Sequence, residues 1–305
     1  MTAPAPRLVN ALSVDVEDWF QVENYGAVIA RERWDGLEAR VAASTGRLLD
    51  LFAACGVQAT FFTLGWVAER NPALIRRIVA EGHELASHGH RHERVAAIGP
   101  ERFAADLRDA RHVLEDIGGV AVTGYRAPTF SIGPRSTPWA HDILAETGHR
   151  YSSSVFPGRH EGAGAPDLPL TPFRPSASGV PEIPMTALRP AVLRGRAIPV
   201  SGGGWFRMMP YPAFARLLRT VNTAERRRGV FYVHPWEVDP GQPRPPGVPA
   251  LKRFKHGVGL ASTEARLGRL LHDFAWDRMD RVFAAEMAAP RMAPAAVPSR
   301  LATAA

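Results

Sequence analysis

The sequence predicts an α/β fold in which strands and helices alternate along the chain. Short apolar runs, such as residues 8–14 and 229–233, read as buried strands, and segments such as residues 41–54 have helical periodicity. Polar side chains of catalytic type also follow the first, third and fourth predicted strands. This pattern is typical of an α/β barrel or a doubly wound sheet, whose sites gather at the carboxyl ends of the strands.

The order of the elements follows from periodicity and from the residues that end each segment. Strands are predicted at residues 8–14, 58–64, 83–86, 120–125, 151–155, 182–185, 197–200 and 229–233. Helices are predicted at residues 41–54, 72–80, 100–117, 136–147, 211–223 and 262–274. Segments rich in Pro and Gly predict long loops at residues 156–181 and 239–249.

The domain organisation is predicted to be simple, because the sequence shows no internal repeat and no break in composition. We assign residues 1–287 to a single domain and the Ala/Pro-rich residues 288–305 to a disordered tail. With 305 residues, 46% of them hydrophobic, the chain is long enough to form one large α/β domain.

Composition and charge limit the possible functions. The single cysteine, Cys55, excludes an internal disulfide and a site with several thiolates, and its apolar surroundings predict a buried core position. The net charge of +7 is spread along the chain without a recognisable nucleic-acid module, so no nucleic-acid partner is expected. No run of 18 apolar residues and no signal peptide is visible, so we expect no membrane insertion and a cytoplasmic location.

A cluster of three histidines lies in the segment Ser87–His92. Neutral imidazole is a common ligand for zinc and other divalent transition metals. His88 and His92 are four residues apart and would share one face of a helical turn, whereas His90 would point elsewhere. The alternative is a chance cluster in a solvated turn, since the chain has 11 histidines.

Three carboxylates, Asp15, Glu17 and Asp18, follow the first predicted strand. Their burial would be costly unless a metal or a paired cation compensates for the lost hydration. The alternation of side chains along a strand places Asp15 and Glu17 on one face and Asp18 on the other. The alternative is an acidic cluster that caps the start of a helix.

A glycine-rich segment at residues 201–204 precedes Trp205 and Phe206. Glycines permit close approach of the backbone to a ligand, and an aromatic side chain such as Trp205 could stack on a sugar ring. A plain turn followed by core aromatics explains the same segment equally well.

Four motifs occur in a fixed order: Asp-x-Glu-Asp, His-x-x-x-His, Arg-x-Pro and a late strand that ends in His. Over residues 8–240 the chain therefore resembles the polysaccharide deacetylase family (NodB homology, carbohydrate esterase family 4). The segments Ser-Val-Asp-Val-Glu-Asp-Trp-Phe-Gln-Val, Tyr-Arg-Ala-Pro-Thr-Phe-Ser and Tyr-Val-His-Pro-Trp-Glu resemble the branch encoded with exosortase (PEP-CTERM) exopolysaccharide loci. The resemblance implies a distorted barrel of about seven β/α units.

The resemblance also implies roles for individual residues. Asp15 matches the general base, Arg126 the arginine that orients it, and His234 the general acid. His88 and His92 match two metal ligands, normally for zinc. Glu17 and Asp18 are the candidates for the third ligand, and strand alternation favours Glu17. Substrate contacts are expected from the side chains of Pro128, Phe130, Trp205 and Trp236.

These roles predict a metal-dependent hydrolase that removes N-acetyl groups from an exopolysaccharide or its lipid-linked oligosaccharide precursor. An allantoinase-like hydrolase of another C–N bond is a second interpretation. A degenerate protein that binds glycan without turnover is a third, and Ser152 supports it. Ser152 occupies a position where many relatives place an aspartate that supports the late histidine, so Glu237 or a water would have to replace that carboxylate for His234.

Overall fold

The computed structural model describes residues 8–158, 165, 167–176, 180–193 and 196–288. Within these residues the strands are β1 Val9–Val16, β2 Thr60–Thr63, β3 Glu84–Ser87, β4 Gly124–Tyr125, β5 Tyr151–Ser152, β6 Ala187–Leu188, β7 Ile198–Pro199, β8 Val230–Val233 and β9 Ala275–Asp277. The helices are α1 Val41–Cys55, α2 Gly65–Arg70, α3 Pro72–Ala80, α4 Val95–Gly118, α5 Ala140–Glu146, α6 Gly203–Met208, α7 Tyr211–Thr223, α8 Ala250–Gly257, α9 Leu260–Asp273, α10 Met279–Val282 and α11 Ala284–Ala288.

Seven strands form one parallel sheet in the order β5-β4-β3-β2-β1-β8, with β9 paired to the start of β1. The central strand β1 pairs with β2, β8 and β9, and every residue of β1 after Val9 is buried. Strands covered on both faces read as continuous apolar runs, which is why the sequence located β1 and β8. The predicted α/β fold is confirmed as a parallel half-barrel sheet with helices between its strands.

The two ends of this half-barrel are joined by hydrogen bonds from residues 182–193 and 196–202, which contain the antiparallel pair β6–β7. At one end, the backbone N–H of Ile183 donates to the carbonyl of Ser152 at 2.8 Å. At the other end, the N–H of Tyr232 donates to the carbonyl of Ser201 at 2.7 Å. These hydrogen bonds link the edges β5 and β8 and account for the distortion that the family resemblance implied.

Most predicted elements are present, with shifted ends. Helices α3 and α7 begin and end at the predicted residues, whereas α4 begins five residues early and bends at Gly99, whose φ is 75°. Residues 182–185, predicted as a strand, make only isolated bridges. The sequence analysis missed α6 and α8, because the first begins in a run of glycines and the second is a short helix after a Pro-rich loop.

Two further predictions concern the surface. Cys55 was expected in the core, but it is exposed at the last residue of α1, away from the buried stripe of Leu48, Leu49 and Phe52. Ala288 ends α11, and the remainder of the predicted tail, like part of the loop at residues 156–181, lies outside the described residues. In the described part of the chain, no helix is both long enough and apolar enough to cross a bilayer.

The contact between Gly202 and β8 provides a test of how the half-barrel is bridged. Gly202 has a φ of +116°, and a Cβ at this position would lie 2.0 Å from the carbonyl oxygen of Tyr232. We expect Gly202→Ala to lower the free energy of unfolding by about 2–3 kcal/mol, because this backbone region is almost exclusive to glycine. Urea denaturation with linear extrapolation measures the change.

Gly36→Ala is the matched control, since a Cβ there meets no atom within 4 Å. We expect it to change the free energy of unfolding by less than about 0.5 kcal/mol. An equal effect at the two glycines would contradict the close approach of residue 202 to β8.

Candidate active site

The ends of strands β1, β3, β4 and β8 converge on a cavity of about 550 Å³. Most of the residues that the sequence analysis singled out line it: Asp15, Glu17, His88, His92, Phe130, Trp205, His234 and Trp236. Arg126 lies buried behind the wall of the cavity, and Asp18 and Pro128 are not part of its lining. This convergence follows from the parallel sheet, which places all strand ends of one type at the same edge.

Glu17, His88 and His92 form a buried group whose potential ligand atoms lie within 4.8 Å of one another. Glu17 Oε2 is 2.7 Å from His92 Nε2, yet this buried oxygen has no hydrogen bond. Burial alone would raise the pKa of Glu17, but the neighbouring His92 and His234 outweigh it and lower that pKa to about 2. Two imidazoles and one carboxylate are a ligand set of catalytic zinc sites, so these residues fit a divalent metal.

The orientation of His88 is fixed by a hydrogen bond from the far side of its ring. Nδ1 lies 2.8 Å from the carbonyl oxygen of Arg126, which assigns the proton to Nδ1 and leaves Nε2 as the ligand atom. Burial lowers the pKa of His88 to about 4, so the ring is neutral, as a metal ligand must be.

The predicted helical spacing of the histidines is wrong, because residues 88–94 form the loop between β3 and α4. His92 reaches the site through a positive φ of 52° rather than through a helical turn. His90 lies outside the group, as predicted, and its backbone N–H donates to Asp106. His88 and His92 are therefore brought together by the conformation of the loop, whereas the sequence analysis had paired them by helical spacing.

Asp18, the alternative third ligand, is engaged elsewhere. Its Oδ1 accepts the N–H of Trp19 at 2.8 Å, and its Oδ2 accepts those of Arg40 at 2.8 Å and Val41 at 3.0 Å. The carboxylate of Asp18 therefore caps the start of α1. Helix capping was the alternative considered for the acidic cluster, and it applies to this one residue. The structure brings Glu17, and not Asp18, to the two histidines.

Asp15 forms a buried ion pair with Arg126. Arg126 Nη1 donates to Asp15 Oδ1 at 2.6 Å, and both side chains are almost completely inaccessible. Arg126 Nε also donates to the carbonyl of Ser153 at 3.0 Å, and the guanidinium lies 4.1 Å from the ring centre of Phe62. Asp15 is thus fixed through Oδ1, while its Oδ2 lies 4.0 Å from Nε2 of His234.

His234, at the end of β8, is held by a second buried ion pair. Its Nδ1 lies 2.7 Å from Glu237 Oε1, and Glu237 Oε2 accepts a hydrogen bond from Arg207 Nε at 2.6 Å. Burial would lower the pKa of His234, but the charges of Glu17, Glu237 and Asp15 outweigh it and raise that pKa to about 9. These charges favour the protonated imidazole, and the ring lines the cavity.

The carboxylate expected near Ser152 is supplied by Glu237. Ser152 is fully buried, and its hydroxyl donates to Ser154 Oγ at 2.8 Å. Glu237 was one of the two replacements that the sequence analysis considered, and it lies three residues after His234. The sequence analysis missed Arg207, because it lies 30 residues from Glu237 in an unpredicted helix.

The predicted substrate contacts divide into two groups. Trp205 is 50% exposed at the rim of the cavity, and Phe130 lines its wall. Trp236 also lines the cavity but is 6% exposed, and its indole N–H donates to Glu17 Oε1 at 3.1 Å. Pro128 is buried in the turn that presents its neighbour Thr129 to the cavity. The prediction for Pro128 is therefore not supported, whereas Trp236 orients a candidate metal ligand.

Backbone strain is concentrated around the cavity. Among the described residues, four residues other than glycine have a positive φ, and three of them, His92, Thr129 and Phe130, line the cavity. Such conformations cost about 1–3 kcal/mol each and are typical of functional sites.

Comparison with known proteins shows a family match for the part of the chain that contains His88, His92 and Arg126. Residues 35–151 match the family model "Polysaccharide deacetylase", and residues 153–284 match a domain of unknown function, DUF3473. A chitooligosaccharide deacetylase from Sinorhizobium fredii is 34% identical over 112 residues, which cover 36% of this chain and 49% of that protein. A peptidoglycan-N-acetylglucosamine deacetylase from Bacillus cereus is 30% identical over 96 residues, or 32% and 35% of the two chains. The chain thus spans a third to a half of the length of these relatives.

Solved structures show the same fold over nearly the whole chain. A Mycobacterium smegmatis protein assigned to the polysaccharide deacetylases aligns with a TM-score of 0.60 at 20% identity, covering 97% of both chains. A peptidoglycan N-acetylglucosamine deacetylase aligns with a TM-score of 0.50 at 15% identity, covering 92% of this chain and 90% of the other. The comparisons therefore show a match to the polysaccharide deacetylase model over residues 35–151 and a shared fold over nearly the whole chain.

Proposed function

We propose that this protein is a metal-dependent hydrolase that removes acetyl groups from N-acetylated glycans. The observation that carries the proposal is the convergence, on one cavity, of Glu17, His88 and His92 with Asp15 and His234. The first three supply a ligand set that leaves positions open for water and an acetamide oxygen. The other two supply a carboxylate base and a protonated imidazole on the same wall.

The proposed mechanism follows from the hydrogen bonds of these residues. A divalent metal, for which we propose zinc, would supply Lewis acidity toward the acetamide carbonyl and lower the pKa of a water molecule. Asp15, held through Oδ1 by Arg126, accepts the proton of the attacking water on Oδ2. His234 donates its Nε2 proton to the leaving amine, and Glu237 keeps the imidazole oriented and charged through Nδ1.

The proposed substrate is an exopolysaccharide or its lipid-linked oligosaccharide precursor. The named relatives act on chitooligosaccharide and on peptidoglycan, both of which carry N-acetylated sugars. The half-exposed Trp205 at the rim offers a flat apolar surface for a sugar ring. The resemblance to the exosortase-associated branch favours an exopolysaccharide over peptidoglycan. We propose residues 1–287 as the catalytic unit, because β8 and β9 complete the sheet begun by β1.

The interpretation as a degenerate glycan-binding protein loses its main support. That interpretation depended on the missing carboxylate at Ser152, and the buried Glu237–Arg207 pair provides a carboxylate to His234 instead.

Acetate release from N-acetylglucosamine oligomers tests the function. We expect release to disappear after treatment with a chelator and to return when zinc is added. Asp15→Asn is expected to lower turnover about 10³-fold, because the amide cannot accept the proton of water. The variant should stay folded by circular dichroism, since its amide oxygen can still accept the hydrogen bond from Arg126. Release at the wild-type rate would contradict the assignment of Asp15.

Zinc binding to chelator-treated protein distinguishes the two candidate carboxylate ligands. We expect Glu17→Gln to weaken zinc binding at least about 100-fold in isothermal titration calorimetry, since a direct ligand is lost. Asp18→Ala should retain zinc affinity but lower the free energy of unfolding by about 2 kcal/mol, because three backbone N–H groups lose their acceptor. Loss of zinc affinity in Asp18→Ala alone would reverse the assignment.

The role of Glu237 as a positioning residue is tested by steady-state kinetics. We expect Glu237→Gln to lower kcat about 100-fold with little change in KM, because the neutral amide no longer stabilises the imidazolium. Glu182→Gln is the matched control. Glu182 is equally buried, its Oε2 lies 3.0 Å from Nε2 of His141, and neither residue lines the cavity. The control should affect stability but not kcat, and an equal loss of kcat in both variants would rule out the specific role.

A further inference from the structure

Large apolar side chains are exposed on two helices beside the cavity. On α6, Trp205 and Met208 are 50% and 41% exposed, and both line the cavity. On α8, Leu251 and Phe254 are 64% and 60% exposed. These four make up half of the eight large hydrophobic side chains that are exposed among the described residues. We call the surface formed by α6 and α8 the α6–α8 rim.

The two helices are joined by the side chain of Arg207. Its Nη1 donates to the carbonyls of His256 and Val258, both at 2.7 Å, and its Nη2 donates to that of Lys255 at 3.2 Å. The same guanidinium donates to Glu237, the partner of His234. Arg207 therefore fixes both helices of the α6–α8 rim to the candidate active site.

The two segments that carry α6 and α8 have a net positive charge. Residues 183–224, which include α6, and residues 240–263, which include α8, contain no Asp or Glu. The second segment carries four cations, and the only two lysines of the chain, Lys252 and Lys255, both lie in α8. Exposed apolar side chains thus alternate with cations along these two segments, and a neighbouring carboxylate that lines the cavity, Glu23, pairs with Arg94.

We propose that the α6–α8 rim docks on the surface of an anionic lipid bilayer. Apolar side chains such as Leu251 and Phe254 would enter the interface, and the adjacent cations would be attracted to anionic headgroups. A second copy of the chain fits this surface poorly, because two surfaces with an excess of positive charge repel each other. Docking places the mouth of the cavity, which Trp205 and Met208 line, next to the membrane surface.

Sedimentation of the full-length protein with vesicles tests docking without substrate or turnover. We expect binding to vesicles of equal parts phosphatidylcholine and phosphatidylglycerol, weaker binding at high salt, and no binding to phosphatidylcholine alone. The double variants Leu251→Ser/Phe254→Ser and Lys252→Glu/Arg253→Glu should each lower the partition coefficient at least about tenfold. None of these four residues lines the cavity, so turnover of a soluble oligosaccharide should not change.

The control variant Arg108→Glu/Val120→Ser changes an exposed cation and an exposed apolar residue near the opposite edge of the sheet. It should sediment with anionic vesicles like the wild type. Failure of the wild type to bind, or an equal loss in the control, would overturn the proposal. The proposal would also be overturned if the protein self-associates without vesicles and both rim variants abolish that self-association. The rim would then be an interface with a second copy of the chain. Vesicle binding is measured apart from deacetylation, so failure of one proposal does not affect the other.

Discussion

The buried ion pair between Asp15 and Arg126 is the interaction on which the rest of the site depends. Asp15 lies on β1 and Arg126 follows β4, with β2 and β3 between them in the sheet, so the pair crosses the concave interior. Removing both charges from water is costly, and the hydrogen bonds of Arg126 to Ser13 and Ser153 offset part of that cost. The same arginine's backbone carbonyl orients His88, so the proposed base and a candidate metal ligand are fixed by one residue.

A second buried pair, Glu237 with Arg207, plays the corresponding part for His234. The carboxylate belongs to the turn that follows β8, three residues after the histidine it supports. Its charge is balanced by Arg207. The remaining N–H groups of Arg207 donate to backbone carbonyls in the last turn of α8 and just after it. The orientation of the proposed general acid therefore depends on helices α6 and α8, and these helices also form the exposed rim of the cavity.

The candidate metal ligands are positioned by groups that are not ligands themselves. Trp236 donates to Glu17 Oε1 and stacks on His234, with ring centres 5.0 Å apart, and thereby places a carboxylate and an imidazole at once. The opposite oxygen of Glu17 is left without a hydrogen bond beside His92. An unsatisfied buried carboxylate oxygen is costly in a folded protein, and a bound cation would remove that cost.

The sequence by itself determined the features that depend on local periodicity. The alternation of strands and helices, the ends of α3 and α7, and the separation of Asp18 from Asp15 and Glu17 all follow from the repeat of side-chain directions along a single element. The resemblance to one family added predicted roles for His88, His92 and His234, because four motifs occur in order.

Only the tertiary structure decided which carboxylate joins the histidines, which one supports His234, and whether Trp205 or Trp236 is exposed. These outcomes depend on contacts between distant segments, such as the 219 positions that separate Trp236 from Glu17. A local pattern states which face a side chain occupies, but it does not state what lies opposite that face.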